Sequence, residues 1–280
     1  MPPIDLSWPG HTQRLHTFLD FLMAEDASQT STAAAAGPLL CVMRHSVRLD
    51  STTSDFAAID DSQWPDRFSR PYDSPISDFE LPRRAAASMR SNGLLDFDVV
   101  ISSPFRRCLQ TAAIVAKELS VPQIVIDNRL GEFLLAARRT WASAGLEPGE
   151  YTYAALSDAE QWSGGVPLLW ERESHAVLNE ADDDLEQRVL SLPHVVASAI
   201  ARVGGSDQLP SSRVLIVTHG DVLNRILPGF DWDTSIGRYS ASEGGWVAFA
   251  GHERLPVYTG DTLALEAVPR VIAAEGIERL

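Results

Sequence analysis

An α/β fold, a three-layer α/β/α sandwich around a mainly parallel sheet, is what this sequence predicts. Four short apolar runs predict the sheet: Leu39 to Met43, Asp98 to Ser102, Gln123 to Asp127 and Val214 to Thr218 read as strands buried on both faces. Helical patterns between them predict the layers, because alternating strand and helix builds a parallel sheet covered on both sides. The size agrees. A chain of 280 residues that is 45% hydrophobic and 22% charged can bury a large core, which excludes collagen-like and disordered classes.

In chain order, residues 1–38 read as an appendage. An amphipathic stretch from Thr12 to Glu25 predicts an N-terminal helix, and Asp26 to Pro38, rich in Ala, Ser and Thr, predicts a flexible linker. The main domain then spans 39–280. Its first strand, Leu39 to Met43, ends abruptly in charge. Pro104 to Leu119 reads as a helix with Ser103 as N-cap and Pro104 at the first helical position. Residues 133–180 form an irregular, cap-like insertion carrying Trp141, Tyr151, Tyr153, Trp162 and Trp170. These aromatics either cover a site or pack the insertion onto the body. A long helix is predicted from Ala181 to Val203 and another from near Gly220. Val271 to Leu280 reads as a helix packing on the body or on a second copy, so monomer and homodimer are both open.

Composition excludes several partners. The longest apolar stretch, Ala33 to Met43, is broken by Gly and Pro and is shorter than the ~20 residues of a membrane span. Asp20 interrupts the one segment that imitates a signal-peptide core, so an intracellular, cytoplasmic location is expected. A net charge of -15 repels nucleic acids and anionic membranes, and neither is expected as a partner. Any anion site must be a local basic exception. Lys117 is the only lysine, so nearly every base is a guanidinium, the group suited to bidentate oxyanion contacts. Cys41 and Cys108 sit in apolar runs and read as buried thiols.

Ligands in open α/β sheets bind beyond the carboxyl ends of the strands. The residues standing there are Arg44-His45-Ser46-Val47-Arg48, Ser102-Ser103-Pro104-Phe105-Arg106-Arg107, Leu130-Gly131-Glu132 and Thr218-His219-Gly220. The second group opens a helix, whose free amides favour anions. Two histidines, at least two arginines and a carboxylate thus meet on one edge. That inventory fits phosphoryl transfer to an imidazole, with guanidinium forks on the phosphoryl oxygens and an acid for the leaving oxygen. No Gly-x-Ser-x-Gly elbow supports a serine triad. His11 and His16 lack the HExxH pattern and a third ligand, so no zinc site is read there.

Three blocks, Leu40-Cys41-Val42-Met43-Arg44-His45, Ser103-Pro104-Phe105-Arg106-Arg107-Cys108-Leu109-Gln110-Thr111-Ala112 and Val217-Thr218-His219, resemble the histidine phosphatase, or phosphoglycerate mutase-like, superfamily. Arg48, the stretch Arg70 to Ser77, and Glu180 with Arg188 resemble more closely the branch holding the phosphatase domains of the suppressor of T-cell receptor signalling proteins. The resemblance implies a phosphoglycerate mutase-like fold with His45 as the nucleophile. Arg44, Arg107 and His219 would hold phosphoryl oxygens, Arg48 would be an additional oxyanion ligand, and Glu132 would act as acid and then base. Arg107 is preferred to Arg106 from its position four residues after Ser103. Asp127, Glu147 and Glu150 compete with Glu132 for the acid role, while Asp50 and Asp73 read as structural. Ser46 departs from the pattern, replacing the usual glycine, as do Glu80 and Arg83 for glycine and glutamine.

The leading expectation is a metal-independent, cofactor-free phosphatase acting on a phosphorylated small molecule or phosphoprotein. A bell-shaped pH dependence is expected from neutral His45 and protonated Glu132. A phosphoglycerate mutase-type phosphotransferase and a catalytically weak phospholigand-binding module are the alternatives.

Overall fold

A computed structural model describes residues 39–53, 56–133, 155–170, 185, 188–189, 191–203, 212–226, 239–254, 257–259, 262–264, 269–272 and 277–279. In chain order its elements are β1 (Leu39–Arg44), α1 (Glu80–Ser91), β2 (Val99–Ser102), α2 (Arg106–Glu118), β3 (Ile124–Ile126), α3 (Leu156–Trp162), β4 (Leu168–Trp170), α4 (Leu192–Val203), β5 (Arg213–Thr218), α5 (Gly220–Ile226), β6 (Tyr239–Ala241), β7 (Trp246–Arg254), β8 (Val257–Thr259), β9 (Thr262–Ala264), β10 (Pro269–Ile272) and β11 (Ile277–Arg279). Seven strands form one sheet in the order β10-β7-β1-β5-β2-β3-β4. The five from β1 to β4 are parallel, and β7 joins β1 antiparallel.

The four apolar runs are therefore central, adjacent strands, and their alternating side chains build two cores. Leu40, Val42, Val214 and Ile216 point to one face, where α4 and α5 cover them with Val195, Val196, Ile200, Val222 and Leu223. Leu39, Cys41, Met43, Leu215 and Val217 point to the other, under α1 and α2 with Met89, Cys108, Ala112 and Val115. A strand buried on both faces has no polar side, which is why these runs read as continuous apolar segments. Register aligns the strand ends: Arg44 lies opposite Thr218, Ser102 opposite Val217 and also opposite Ile126. Everything chemical is attached just beyond that row.

Several boundaries differ from expectation. α2 starts at Arg106 with Phe105 as N-cap, so Ser103 and Pro104 lie outside the helix. The long helix expected from Ala181 is interrupted by a turn at Ser191, and α4 begins at Leu192 with Pro193 in its first turn, where a missing amide costs nothing. Val271 and Ile272 lie in β10 and residues 277–279 in β11, not in a C-terminal helix; the β-branched pair extends the sheet against β7. Part of the insertion is regular, contributing α3 and edge strand β4. The expected N-terminal helix and linker, His11, His16, Trp141, Glu147, Glu150, Tyr151, Tyr153 and Glu180 lie outside the described residues. No described helix is long and apolar enough to cross a membrane.

Candidate active site

Arg44 ends β1 and His45 follows it, its amide donating to Thr218 O at 2.9 Å. The imidazole is 1% exposed. Its Nδ1 lies 2.7 Å from the Ser46 carbonyl, which can only accept, so Nδ1 carries the proton and Nε2 keeps a lone pair. Burial, then the charges of Arg107 and His219, push the His45 pKa well below the usual imidazole value. A neutral, oriented nucleophile results. Ser46 is accommodated: its amide donates to Thr111 Oγ1 at 3.0 Å and its buried hydroxyl donates to Asp78 O at 2.7 Å.

His219, between β5 and α5, is fully buried and packs edge-on against His45 at 5.2 Å between ring centroids. Its Nδ1 is 3.1 Å from Glu132 Oε2 and its Nε2 is 2.8 Å from Ser103 Oγ. Burial lowers its pKa to about 4, although Glu132 pulls the other way. The ring is therefore neutral, with Nδ1–H on the carboxylate and the Ser103 hydroxyl donating to Nε2. Ser103 is thus not the cap expected from its place before Pro104; its hydroxyl holds a histidine.

Arg107, in the first turn of α2, is 1% exposed. Nη1 donates to Tyr72 O at 3.0 Å, Nη2 donates to Glu132 Oε2 at 3.3 Å, and the guanidinium stacks on Phe105 at 4.5 Å. Among the described residues its buried Nε–H meets no acceptor, a donor left over for an anion. Arg106 instead pairs with Asp66 at 3.4 Å and lies over Trp162, as its adjacent helical position dictates. The α2 N-terminus is already occupied: the carboxylate of buried Asp73 accepts from Arg106 N at 2.7 Å. Arg107 is the second residue of α2.

Glu132 projects from the loop after β3. Burial by itself raises its pKa, but His219, Arg107 and His45 outweigh that and hold the carboxyl below the usual range. In the free protein these neighbours favour the anion over the protonated acid. Asp127, a rival in sequence, is committed elsewhere, accepting from Arg129 N and Nε at 2.9 Å each.

Arg44 Nη2 pairs with Glu243 Oε1 at 2.9 Å, and its guanidinium lies against Gly220, where a Cβ would stand 3.4 Å from Cζ. That places it beside His219. Arg48 is gripped by Asp50 in a two-point pair, Nε to Oδ1 and Nη2 to Oδ2, both at 3.0 Å. Its contacts among the described residues do not join it to the His45–Arg107–Glu132–His219 cluster. The two carboxylates behave as structural groups, Asp50 orienting an arginine and Asp73 capping a helix.

Donor atoms of His45, Glu132 and His219 lie within 4.8 Å of one another, a set of the kind that holds metal ions. The Arg107 guanidinium at 3.3 Å from that same carboxylate opposes a cation and favours an anion. Sequence reasoning missed Ser103, Tyr72 and Phe105 as wall residues and Glu243 as the partner of Arg44. Only the Ser-Pro pair and the aromatic before Arg106 hinted at them.

Among solved structures, the chain is similar to one described as mycobacterial hydrolase 1, at 19% identity over 77% of this chain and 93% of that one, with a TM-score of 0.44. A mycobacterial glucosyl-3-phosphoglycerate phosphatase is similar at 18% identity over 77% and 91%, TM-score 0.41. A phosphoglycerate mutase from Bacillus anthracis is similar at 17% identity over 84% and 93%, TM-score 0.43. No curated protein matches the chain. The family model of the histidine phosphatase superfamily, branch 1, matches residues 61–239, a span that holds Arg107, Glu132 and His219 and begins after His45. Since the match runs over more than half of its length, this chain belongs to the histidine phosphatase superfamily, branch 1.

Proposed function

We propose that the protein is a metal-independent phosphatase that hydrolyses phosphomonoesters through a phosphohistidine on His45. The observation that supports this most is the cluster itself: a buried, neutral His45 with a free Nε2, within 4.8 Å of the partly exposed Glu132 and of buried His219, beside a buried guanidinium. Nε2 attacks phosphorus, the bond to the ester oxygen breaks, and that oxygen takes a proton from Glu132. Water then attacks the phosphohistidine, Glu132 takes its proton, and phosphate leaves with His45 neutral again. Arg107 and Arg44 carry the charge of the phosphoryl oxygens.

Glu132 is an anion before substrate arrives, so its proton comes with the substrate. An ester monoanion, present below a second pKa of about 6, delivers it. Once the phosphoryl group engages Arg107, the field that kept the carboxylate charged is shared with the ligand. The productive state is a monoanionic ester with neutral His45, which predicts an optimum on the acid side of neutrality.

Within the superfamily we place the chain in the branch of the suppressor of T-cell receptor signalling phosphatase domains, on Arg48, Arg70 to Ser77 and Arg188. It acts on a phosphorylated small molecule or phosphoprotein inside the cell. Hydrolysis of 4-nitrophenyl phosphate in the presence of EDTA, with acid quench to trap a labelled phosphohistidine, tests the reading. The wild type turns over and labels on His45, kcat/KM falls as pH rises through about 6, and His45→Ala loses both label and turnover. An unlabelled wild type, or an active His45→Ala variant, overturns it. Product analysis with phosphoglycerates separates hydrolysis from mutase chemistry.

A further inference from the structure

Resting on that reading, we propose that Arg188 is the positioning residue for the acid–base carboxylate: it clamps the loop that presents Glu132. The loop from Asn128 to Glu132 has little regular structure of its own, a single 3-10 turn at Asn128–Leu130. A carboxylate on such a segment wanders unless its backbone is fixed from outside. Arg188 does so from the far side of the insertion, donating from Nη1 to Arg129 O at 2.6 Å and to Gly131 O at 2.7 Å. Between those carbonyls, Leu130 O accepts from Thr218 Oγ1 at 2.8 Å. Three successive carbonyls are therefore held, two by one guanidinium and one by the residue preceding His219.

The clamp has a chemical consequence. Thr218, the last residue of β5, ties the loop to the strand that His219 follows, and Arg188 sets the direction in which Gly131 leads into Glu132. With both in place, Glu132 Oε2 stands 3.1 Å from His219 Nδ1 and 3.3 Å from Arg107 Nη2. A proton donor must reach the leaving oxygen within hydrogen-bond range, and misplacement by ~1 Å costs up to about 100-fold. Arg188 follows the insertion in sequence while residues 129–131 precede it, so this one side chain also closes the base of the insertion at the acid. Two further ties are independent of Arg188, the Thr218 hydroxyl on Leu130 O and the Asn128 side chain, which accepts from Trp170 Nε1 at 2.9 Å, so the segment is expected to keep its fold when Arg188 is replaced.

A leaving-group series separates positioning from mere scaffolding. kcat/KM reports phosphoryl transfer to His45, and an acid matters most when the leaving group is poor. Arg188→Leu, Arg188→Lys and Glu132→Gln are assayed on phenyl phosphate and on 2,4-dinitrophenyl phosphate, with unfolding midpoints measured alongside. Arg188→Leu is expected to lower kcat/KM on phenyl phosphate by about tenfold or more while changing the activated ester by less than about twofold. Arg188→Lys, which still donates to carbonyls, is expected to recover part of the loss, and it carries the test if the leucine variant does not fold. Equal losses on both esters, or none on either, overturn the proposal. Should Glu132→Gln itself lose equally on both esters, the acid role assigned to Glu132 fails, and that result is distinct from a failure of Arg188 alone.

Discussion

His45 and His219 are both buried and both neutral, and their environments differ in a way that matters. Burial is the leading cause for each, but Glu132 partly offsets it at His219, whereas Arg107 and His219 reinforce it at His45. Unfolded, each imidazole takes up a proton below its ordinary value of 6.5; folded, His219 waits until about 4 and His45 also stays neutral far below 6.5. Between those limits the unfolded chain binds more protons, so stability from these groups is full above pH 6.5 and drains away as pH falls. Thermal unfolding midpoints are expected to hold above about pH 6.5 and to drop from there to about pH 5, a range in which ordinary surface carboxylates remain charged. A flat profile would contradict the neutral pair. The same residues explain what a reader of the sequence could and could not see. His45, Arg107, Glu132 and His219 were legible because each stands at the end of an apolar run. The charge state of Glu132 was not, since it depends on three cationic or polar neighbours that reach it from other elements of the fold, His45 after β1, Arg107 in α2 and His219 after β5.

At the scale of elements, the turn between β6 and β7 braces the nucleophile. Gly245 O accepts from Arg44 N at 2.9 Å, and Gly244 N donates to His45 O at 3.1 Å. Gly244 has φ +74, and a Cβ there would stand 2.6 Å from Leu81 Cγ, so backbone and packing both demand glycine. Gly244→Ala is expected to destabilise by about 1–3 kcal/mol, read as a lower unfolding midpoint, and to reduce turnover through the displaced His45. Adding Leu81→Ala should restore the part due to contact and leave the part due to φ; full restoration would show that the backbone conformation costs nothing. This turn was not legible from sequence. Two adjacent glycines advertise a turn, but nothing local says that it lies against β1, some two hundred positions away in the chain. The start of α2 was misread for a related reason. Ser103-Pro104 has the local chemistry of a helix start, yet the serine hydroxyl meets His219, and Asp73 from another loop satisfies Arg106 N instead.

Over the whole molecule, 38 acids against 23 bases set a long-range field that opposes the cationic pocket. An anionic substrate is attracted only once it is within about a Debye length of Arg44 and Arg107, ~8 Å at physiological salt. Phosphopeptides flanked by basic residues are therefore expected to show higher kcat/KM than acid-flanked ones at low salt, with the gap narrowing as salt is added. A gap that persists unchanged at high salt would point to direct contacts rather than the overall field. The layered architecture was readable from the order of strands and helices, whereas the two antiparallel strands on the β1 side and edge strand β4 were not. β10 and β4 stand at the sheet edges with one neighbour each and runs of only four and three residues, whereas β7 has a neighbour on each side but ends in Gly251-His252-Glu253-Arg254, which dilutes its apolar run.

By itself, the sequence determined the periodicity that buries β1, β2, β3 and β5 on both faces, and with it the row of strand ends where His45, Arg107, Glu132 and His219 had to appear. Only the tertiary structure decided which atoms those side chains address. Ser46 O fixes the His45 tautomer, Ser103 and Glu132 hold His219, Tyr72 and Phe105 confine Arg107, and Arg188 with Thr218 holds the three carbonyls that precede Glu132. The physical reason is range. Burial patterns repeat every two or 3.6 residues and can be read locally, whereas a hydrogen bond or an ion pair joins groups whose separation along the chain carries no information about their distance in space.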